Sequence, residues 1–187
     1  MNRTYGHSTS HLPASRSLPL IIGIGSPHGN DQIGWKVIEQ LTSQANSCWL
    51  GEFRKAAVPH DLLDWLAAER PVHIVDALAS DANAPLRLTI AYDAQGSLQA
   101  SFRDEEDIER NCVFPHLQSN STHHFDLLSV LQLADVLGNL PTQLVLWAIP
   151  IGKTNYESSS QARPDPRSVE YMVDICLQRI LRELGRS

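Results

Sequence analysis

The stretch that most constrains the fold is an apolar run, Leu18–Gly25, which reads LPLIIGIG and ends in glycines. A near-continuous apolar run of this length is typical of a central parallel strand that is buried on both faces. Apolar residues then recur at helical spacing to about Gln44, which predicts a helix with Asp31 at its N-cap. A buried strand followed directly by a helix indicates a parallel sheet covered by helices.

The rest of the chain repeats this alternation. Further strands are predicted at Cys48–Arg54, Val72–Val75, Leu86–Tyr92 and Gln143–Ile149. Further helices are predicted at Asp61–Ala68, from His124 to a terminating Gly138, and from an Asp165 N-cap and a first-turn Pro166 to Leu184. This order predicts an α/β fold, a three-layer αβα sandwich with a mostly parallel central sheet.

Two segments fall outside the alternation. Residues 1–17 are polar and are predicted to be a disordered N-terminal arm, which leaves residues 18–187 as a single domain. Ala94–Asn120 is long and irregular, and such a segment inside a domain tends to be functional or mobile.

Composition excludes several classes of protein. The chain has 187 residues, 42% of them hydrophobic, which is enough for one well-buried core and short for two. Its formal net charge is -6 and it has no basic patch, so we expect no nucleic-acid partner. The N-terminus lacks the apolar core of a secretory signal, and no stretch approaches the roughly 20 apolar residues of a membrane span. We therefore expect a soluble, cytoplasmic protein with no membrane partner.

The cysteines agree with that expectation. Cys48, Cys112 and Cys176 are far apart, and the absence of a C-x-x-C pair argues against a zinc ribbon. Scattered cysteines suit a reducing cytosol, where each is predicted to be a small core residue.

Three polar residues are predicted at strand ends or helix starts, where ligands bind in parallel sheets. Asp31 follows the first strand, Asp76 follows the third, and His123 precedes the leucine-rich helix. Taken singly, each has a plain structural role as a cap, a turn residue or a surface residue. Together, two carboxylates and an imidazole suit a divalent transition metal such as nickel, zinc or manganese, with positions left for substrate. They could also act without metal, as paired acids of which one has a raised pKa.

The glycine-rich loop does not match a nucleotide site. Its spacing is G-x-G-x-x-x-G, at Gly23, Gly25 and Gly29, so the third glycine comes one residue late for a dinucleotide fingerprint. The second predicted strand ends at Arg54 and is followed by Lys55, where an acidic residue would be needed for a ribose. A serine hydrolase is also disfavoured because no G-x-S-x-G motif is present.

Three stretches in order resemble one family. GIGSPHGNDQIGW at 23–35, HIVDALAS at 73–80 and STHHFDLLSVLQLADVLGNLPTQLVLWAIPI at 121–151 are similar to motifs of the [NiFe]-hydrogenase maturation endopeptidases. The resemblance covers roughly Leu18–Ile151. It implies a phosphorylase/hydrolase-like αβα fold and a protease domain.

The resemblance also implies a function. Such an enzyme removes the C-terminal extension of a hydrogenase large-subunit precursor once nickel has been inserted. The matching residues Asp31, Asp76 and His123 would contact the substrate's nickel, which serves as the recognition signal, and would carry the catalysis. No permanent cofactor is implied, although a divalent metal at the site is compatible with these residues.

The sequence departs from the family pattern at Ser26, at Asn30 and across Arg54–Leu63, which reads RKAAVPHDLL. These departures keep a second hypothesis open, a non-cleaving protein that docks a maturing metalloenzyme subunit. A third is a peptidyl-tRNA-hydrolase-like enzyme, since those also open with a glycine-rich loop. The acidic charge balance argues against the third.

Overall fold

A computed structural model describes residues 18–27, 32–44, 51–79, 84–92, 98–103, 109–112, 127–151 and 168–185. The strands within these ranges are β1 (Leu20–Ile24), β2 (Glu52–Ala56), β3 (Val72–Ala79), β4 (Leu86–Tyr92), β5 (Leu98–Arg103), β6 (Glu109–Cys112) and β7 (Leu144–Ile151). The helices are α1 (Ile33–Ser43), a 3₁₀ helix (Pro59–Asp64), α2 (Leu127–Val136) and α3 (Val169–Leu184). The predicted arm at 1–17 lies outside the described residues.

All of these strands belong to one sheet, in the order β2-β1-β3-β7-β4-β5-β6. The first four are parallel, and β4, β5 and β6 extend the sheet with antiparallel pairings. Helices cover both faces of the parallel part. The three-layer α/β class predicted from the alternation is therefore confirmed.

Side chains alternate across the sheet and build two cores. Ile22, Ile74 and Leu146 face the 3₁₀ helix and α2. Ile21 and Trp147 face α1 and α3 on the other side. Both faces of β1 and β7 are thus buried, which explains why these strands appear in the sequence as continuous apolar runs.

Long-range pairing corrects several predicted strands. The third strand does not end at Val75 but continues through Asp76 to Ala79, because β7 pairs with it over its whole length. The second strand begins at Glu52 and not at Cys48, and the N–H of Glu52 donates to Pro19 O at 2.9 Å. The segment Ala94–Asn120 was predicted to be irregular, yet it contains β5 and β6.

The helix ends are corrected as well. Gln32, without a side-chain cap, holds the N-cap position of α1 that was predicted for Asp31, and Asp31 lies outside the described residues. The N-cap of α3 is Ser168, whose hydroxyl accepts a hydrogen bond from Tyr171 N–H at 3.2 Å. Asp165, predicted as that N-cap, and Pro166, predicted for the first turn, also lie outside the described part. A 3₁₀ helix at Pro59–Asp64 replaces the predicted helix at 61–68.

The predicted end of α2 is confirmed. Gly138 has a φ of 74°, in the left-handed region that favours glycine. Its N–H donates to Asp135 O, and the next N–H, of Asn139, donates to Ala134 O. This is the Schellman arrangement, which satisfies carbonyl groups that the helix end would otherwise leave unpaired.

Cys176 confirms one cysteine prediction. It is fully buried in α3, and that burial raises the pKa of its thiol to about 12. It is therefore a protonated core residue. Cys48 and the side chain of Cys112 lie outside the described part of the chain.

The described helices offer no membrane span, since none is both long and apolar enough to cross a bilayer.

A buried histidine lies close to the ion pair that joins the sheet to α3. His73 on β3 is 6% exposed, and its Nδ1 accepts a hydrogen bond from Trp147 Nε1–H at 3.1 Å. The Arg87 guanidinium lies over the Trp147 ring at 5.9 Å and makes two hydrogen bonds of 2.7 Å to Glu183. Burial lowers the pKa of His73 below its usual range; the Glu183 carboxylate opposes this shift, and Arg87 adds to it.

The lowered pKa makes stability depend on pH. The unfolded chain takes up a proton at His73 below about pH 6.5, whereas the folded chain resists it, so stability is full above that pH and falls below it. The loss reaches at most about 1.4 kcal/mol per pH unit. We expect His73→Gln, which can still accept from Trp147 but cannot titrate, to lose less stability between pH 7.5 and 5.5 than wild type does. Urea unfolding at both pH values measures this, and equal losses in the two proteins would contradict it.

Candidate functional site

Asp76 lies at the carboxyl edge of the parallel strands. Val75 is level with Gly23 of β1, so Asp76 lies in the row of Ile24, the last residue of β1. On its other side Asp76 pairs with Ala148, and β3 and β7 continue beyond the end of β1. In α/β sheets ligands bind in the crevice beyond the carboxyl ends of the strands.

The Asp76 carboxylate is partly exposed and oriented by its own strand. Its Oδ1 accepts a hydrogen bond from the N–H of Ala77 at 2.8 Å. Alternation along β3 places its side chain on the face of Ile74, which carries the 3₁₀ helix and α2. An ionisable group therefore stands beside the apolar core on that face, between Ile74 and Leu78.

The first turn of α1 rests directly on this edge from the opposite face. A Cβ added to Gly34 would lie 2.2 Å from Ile24 O and 2.7 Å from Val75 O. A Cβ on Gly23 would lie 2.2 Å from Gly34 O. The two glycines let helix and sheet backbones touch, which brings the start of α1 against the residue before Asp76.

Side-chain bonds hold the turns that follow β1 and β2. The Gln32 amide donates to Pro27 O at 2.6 Å, across the loop that contains Asp31. Trp35 Nε1–H donates to Ala56 O at 2.8 Å and thereby ties α1 to the end of β2. Asp61 Oδ2 accepts from the N–H groups of Ala57 and Val58, at 2.8 and 3.2 Å. The sequence did not predict these roles. Asp61 alone carries a sequence signal of capping, which is its position close to Pro59.

Of the predicted set, the structure describes Asp76 alone. Asp31 and His123 lie outside the described residues, and within the described ranges no group of three His, Cys, Asp or Glu side chains could hold a metal ion. The elements that follow them are described. α1 begins two residues after Asp31 and packs against Val75 from the face opposite to the Asp76 side chain, and α2 begins four residues after His123. The set of three thus remains a prediction.

Comparison with known proteins gives structural likeness only. No protein-family model matches the chain, and no curated protein matches its sequence. The hydrogenase maturating endopeptidase HybD from E. coli superimposes with a TM-score of 0.54 at 20% identity, over 90% of this chain and 93% of that one. An endopeptidase from Escherichia coli solved in solution gives 0.53 at 20% identity, over 90% and 94%. The chain has the HybD fold.

At this level of identity the likeness establishes architecture. The HybD fold confirms the αβα class that the sequence motifs implied. HybD itself is a hydrogenase maturating endopeptidase, the kind of protein whose motifs the sequence resembles. The chain spans nearly the whole length of both neighbours, so the resemblance extends beyond the motifs.

Proposed function

We propose that this protein is an endopeptidase that removes the C-terminal extension of a [NiFe]-hydrogenase large-subunit precursor after nickel insertion. The observation that carries the proposal is the Asp76 carboxylate, which stands at the ligand-binding edge of a HybD fold. In this proposal the reaction takes place in the cytoplasm, and the nickel is part of the substrate. The enzyme itself needs no permanent cofactor.

The three residues would act as ligands to the substrate's nickel. Two carboxylates and an imidazole, from Asp31, Asp76 and His123, form a donor set that suits nickel and leaves positions for the substrate. Asp31 precedes α1 closely, and the positive end of the helix dipole favours an ionised carboxylate there. Nickel held in this way can polarise a nearby peptide carbonyl or acidify a bound water that attacks it. A precursor without nickel would lack the contact that seats it.

Mass spectrometry of the substrate tests the proposal. Purified protein is mixed with the nickel-loaded large-subunit precursor of its host, and the intact mass of the precursor is followed. We expect the wild-type protein to shorten the precursor and Asp31→Ala and His123→Ala to leave it intact. His124→Ala is the matched control, since it changes the neighbouring histidine, and it is expected to retain cleavage.

Each other outcome has a definite meaning. Shortening by all three variants would show that Asp31 and His123 are not ligands. A complex that forms with no change in mass would contradict the peptidase function and favour the docking protein. If the protein neither binds nor cleaves the precursor, the hydrogenase large subunit is excluded as its substrate.

A further inference from the structure

Strand β2 is an outer edge of the sheet as far as the chain is described. It pairs with β1 through Glu52 N–H, which donates to Pro19 O at 2.9 Å, and through Ala56 O, which accepts from Gly25 N–H at 3.1 Å. In a parallel strand the N–H and C=O of one residue point to the same side, and those of the next residue point to the other. The backbone groups of Phe53 and Lys55 therefore point away from β1.

This edge ends at the crevice. Ala56 is level with Ile24, and Ile24 lies in the row of Asp76. Two strand spacings separate Ala56 from Asp76, about 10 Å. The turn beyond Ala56 is held by Asp61 through the N–H groups of Ala57 and Val58. A chain added outside β2 lies three strand spacings from Asp76, about 14 Å, so a segment that continues past its end would reach the carboxylate in about four or five residues.

Charged side chains, each held by an ion pair and an indole ring, lie on both faces of β2. The Arg54 guanidinium lies 5.1 Å from the Trp65 ring centroid, and Glu52 pairs with it at 2.6 Å. On the other face the Lys55 ammonium lies 5.7 Å from the Trp35 ring centroid and pairs with Glu39 at 2.5 Å. Each cation is stacked on an indole and paired with a carboxylate. The outer backbone of β2 therefore lies between two ion pairs, one on each face of the sheet.

We propose that the C-terminal segment of the precursor binds as an added strand on the outer edge of β2, which leads its scissile bond to Asp76. The inference rests on the proposed function, since a peptidase must hold its substrate as an extended chain beside the reactive groups. Strand addition supplies affinity through main-chain hydrogen bonds, whatever the side chains of the bound segment. The flanking Arg54 and Lys55 pairs then limit which side chains fit.

Charged residues on an edge strand can also serve only to prevent aggregation. Lys55→Pro separates the two roles. It removes an outward N–H and leaves the β1 ladder intact, and proline is tolerated at such edge positions. Lys55→Ala removes the same side chain but keeps the N–H. We expect Lys55→Pro to have a KM for the precursor about fivefold above that of Lys55→Ala, the value of one hydrogen bond, with kcat unchanged. Equal KM values would overturn the proposal.

Amide hydrogen exchange provides a second test that needs neither the proline variant nor cleavage. With the nickel-loaded precursor added, we expect exchange at Phe53 and Lys55 to slow at least tenfold. The inward amides of Glu52 and Arg54, which already pair with β1, serve as the internal control. A complex that forms without slowing at Phe53 and Lys55 would refute strand addition alone. Failure to form any complex would instead refute the proposed function, and this inference with it.

Discussion

Asp76→Asn is expected to reduce turnover of the nickel-loaded precursor at least about 100-fold, the usual scale for losing one group that stabilises charge in a transition state. The asparagine side chain keeps the shape of aspartate and an oxygen that can accept from Ala77 N–H, so the local structure of β3 is preserved. Only the negative charge is lost, and with it the attraction for a divalent metal. The measurement is the rate of precursor shortening by intact mass, at matched concentrations of enzyme.

Asp174→Asn is the matched control, because Asp174 is an exposed carboxylate on α3, which packs on the sheet face opposite to the Asp76 side chain. Its turnover is expected to equal that of wild type. Both variants should melt within about 2 °C of wild type, as partly or fully exposed positions usually do. If Asp76→Asn retained turnover within threefold, Asp76 would not be a nickel ligand. A large fall in its melting temperature would show a structural role instead.

Gly34→Ala is expected to lower the free energy of unfolding by about 3 kcal/mol, at the upper end of the usual cost of overpacking. The added methyl would meet the backbone of Ile24 and Val75, which cannot move aside as a flexible side chain could. Helix propensity alone predicts the opposite, a gain of about 1 kcal/mol over glycine. The sign of the change therefore shows whether α1 touches the sheet backbone. Urea unfolding gives the free energy, and the melting temperature should fall by about 10 °C.

Gly185→Ala provides the comparison at a helix end. Its backbone has a φ of -76°, and an added Cβ would contact only Leu181 O, at 3.1 Å. We expect a change of less than about 1 kcal/mol there. A Gly34→Ala protein as stable as wild type would contradict the close contact between α1 and β1. The position of the helix start against Ile24 and Val75 would then need revision.

The candidate site was only partly accessible from the sequence. Asp76 could be predicted because it follows an apolar run, and parallel strands bring such positions to one edge. The bonds made by Gln32, Trp35 and Asp61 could not, because each joins two turns or elements and leaves no periodic pattern. The outward backbone of β2 was also invisible, since an edge strand is defined by its neighbours in the sheet.

The sequence by itself determined which segments are buried strands and which are helices packed on them. Burial on two faces or on one stripe leaves a periodicity of apolar residues that needs no partner to be recognised. This periodicity was sufficient to predict β1, β4, α1 and the end of α2 at Gly138. The tertiary structure alone decided the length of β3, the strands within 94–120 and the sheet edges. Each of these depends on hydrogen bonds between residues far apart in the chain, and such pairings leave no local pattern.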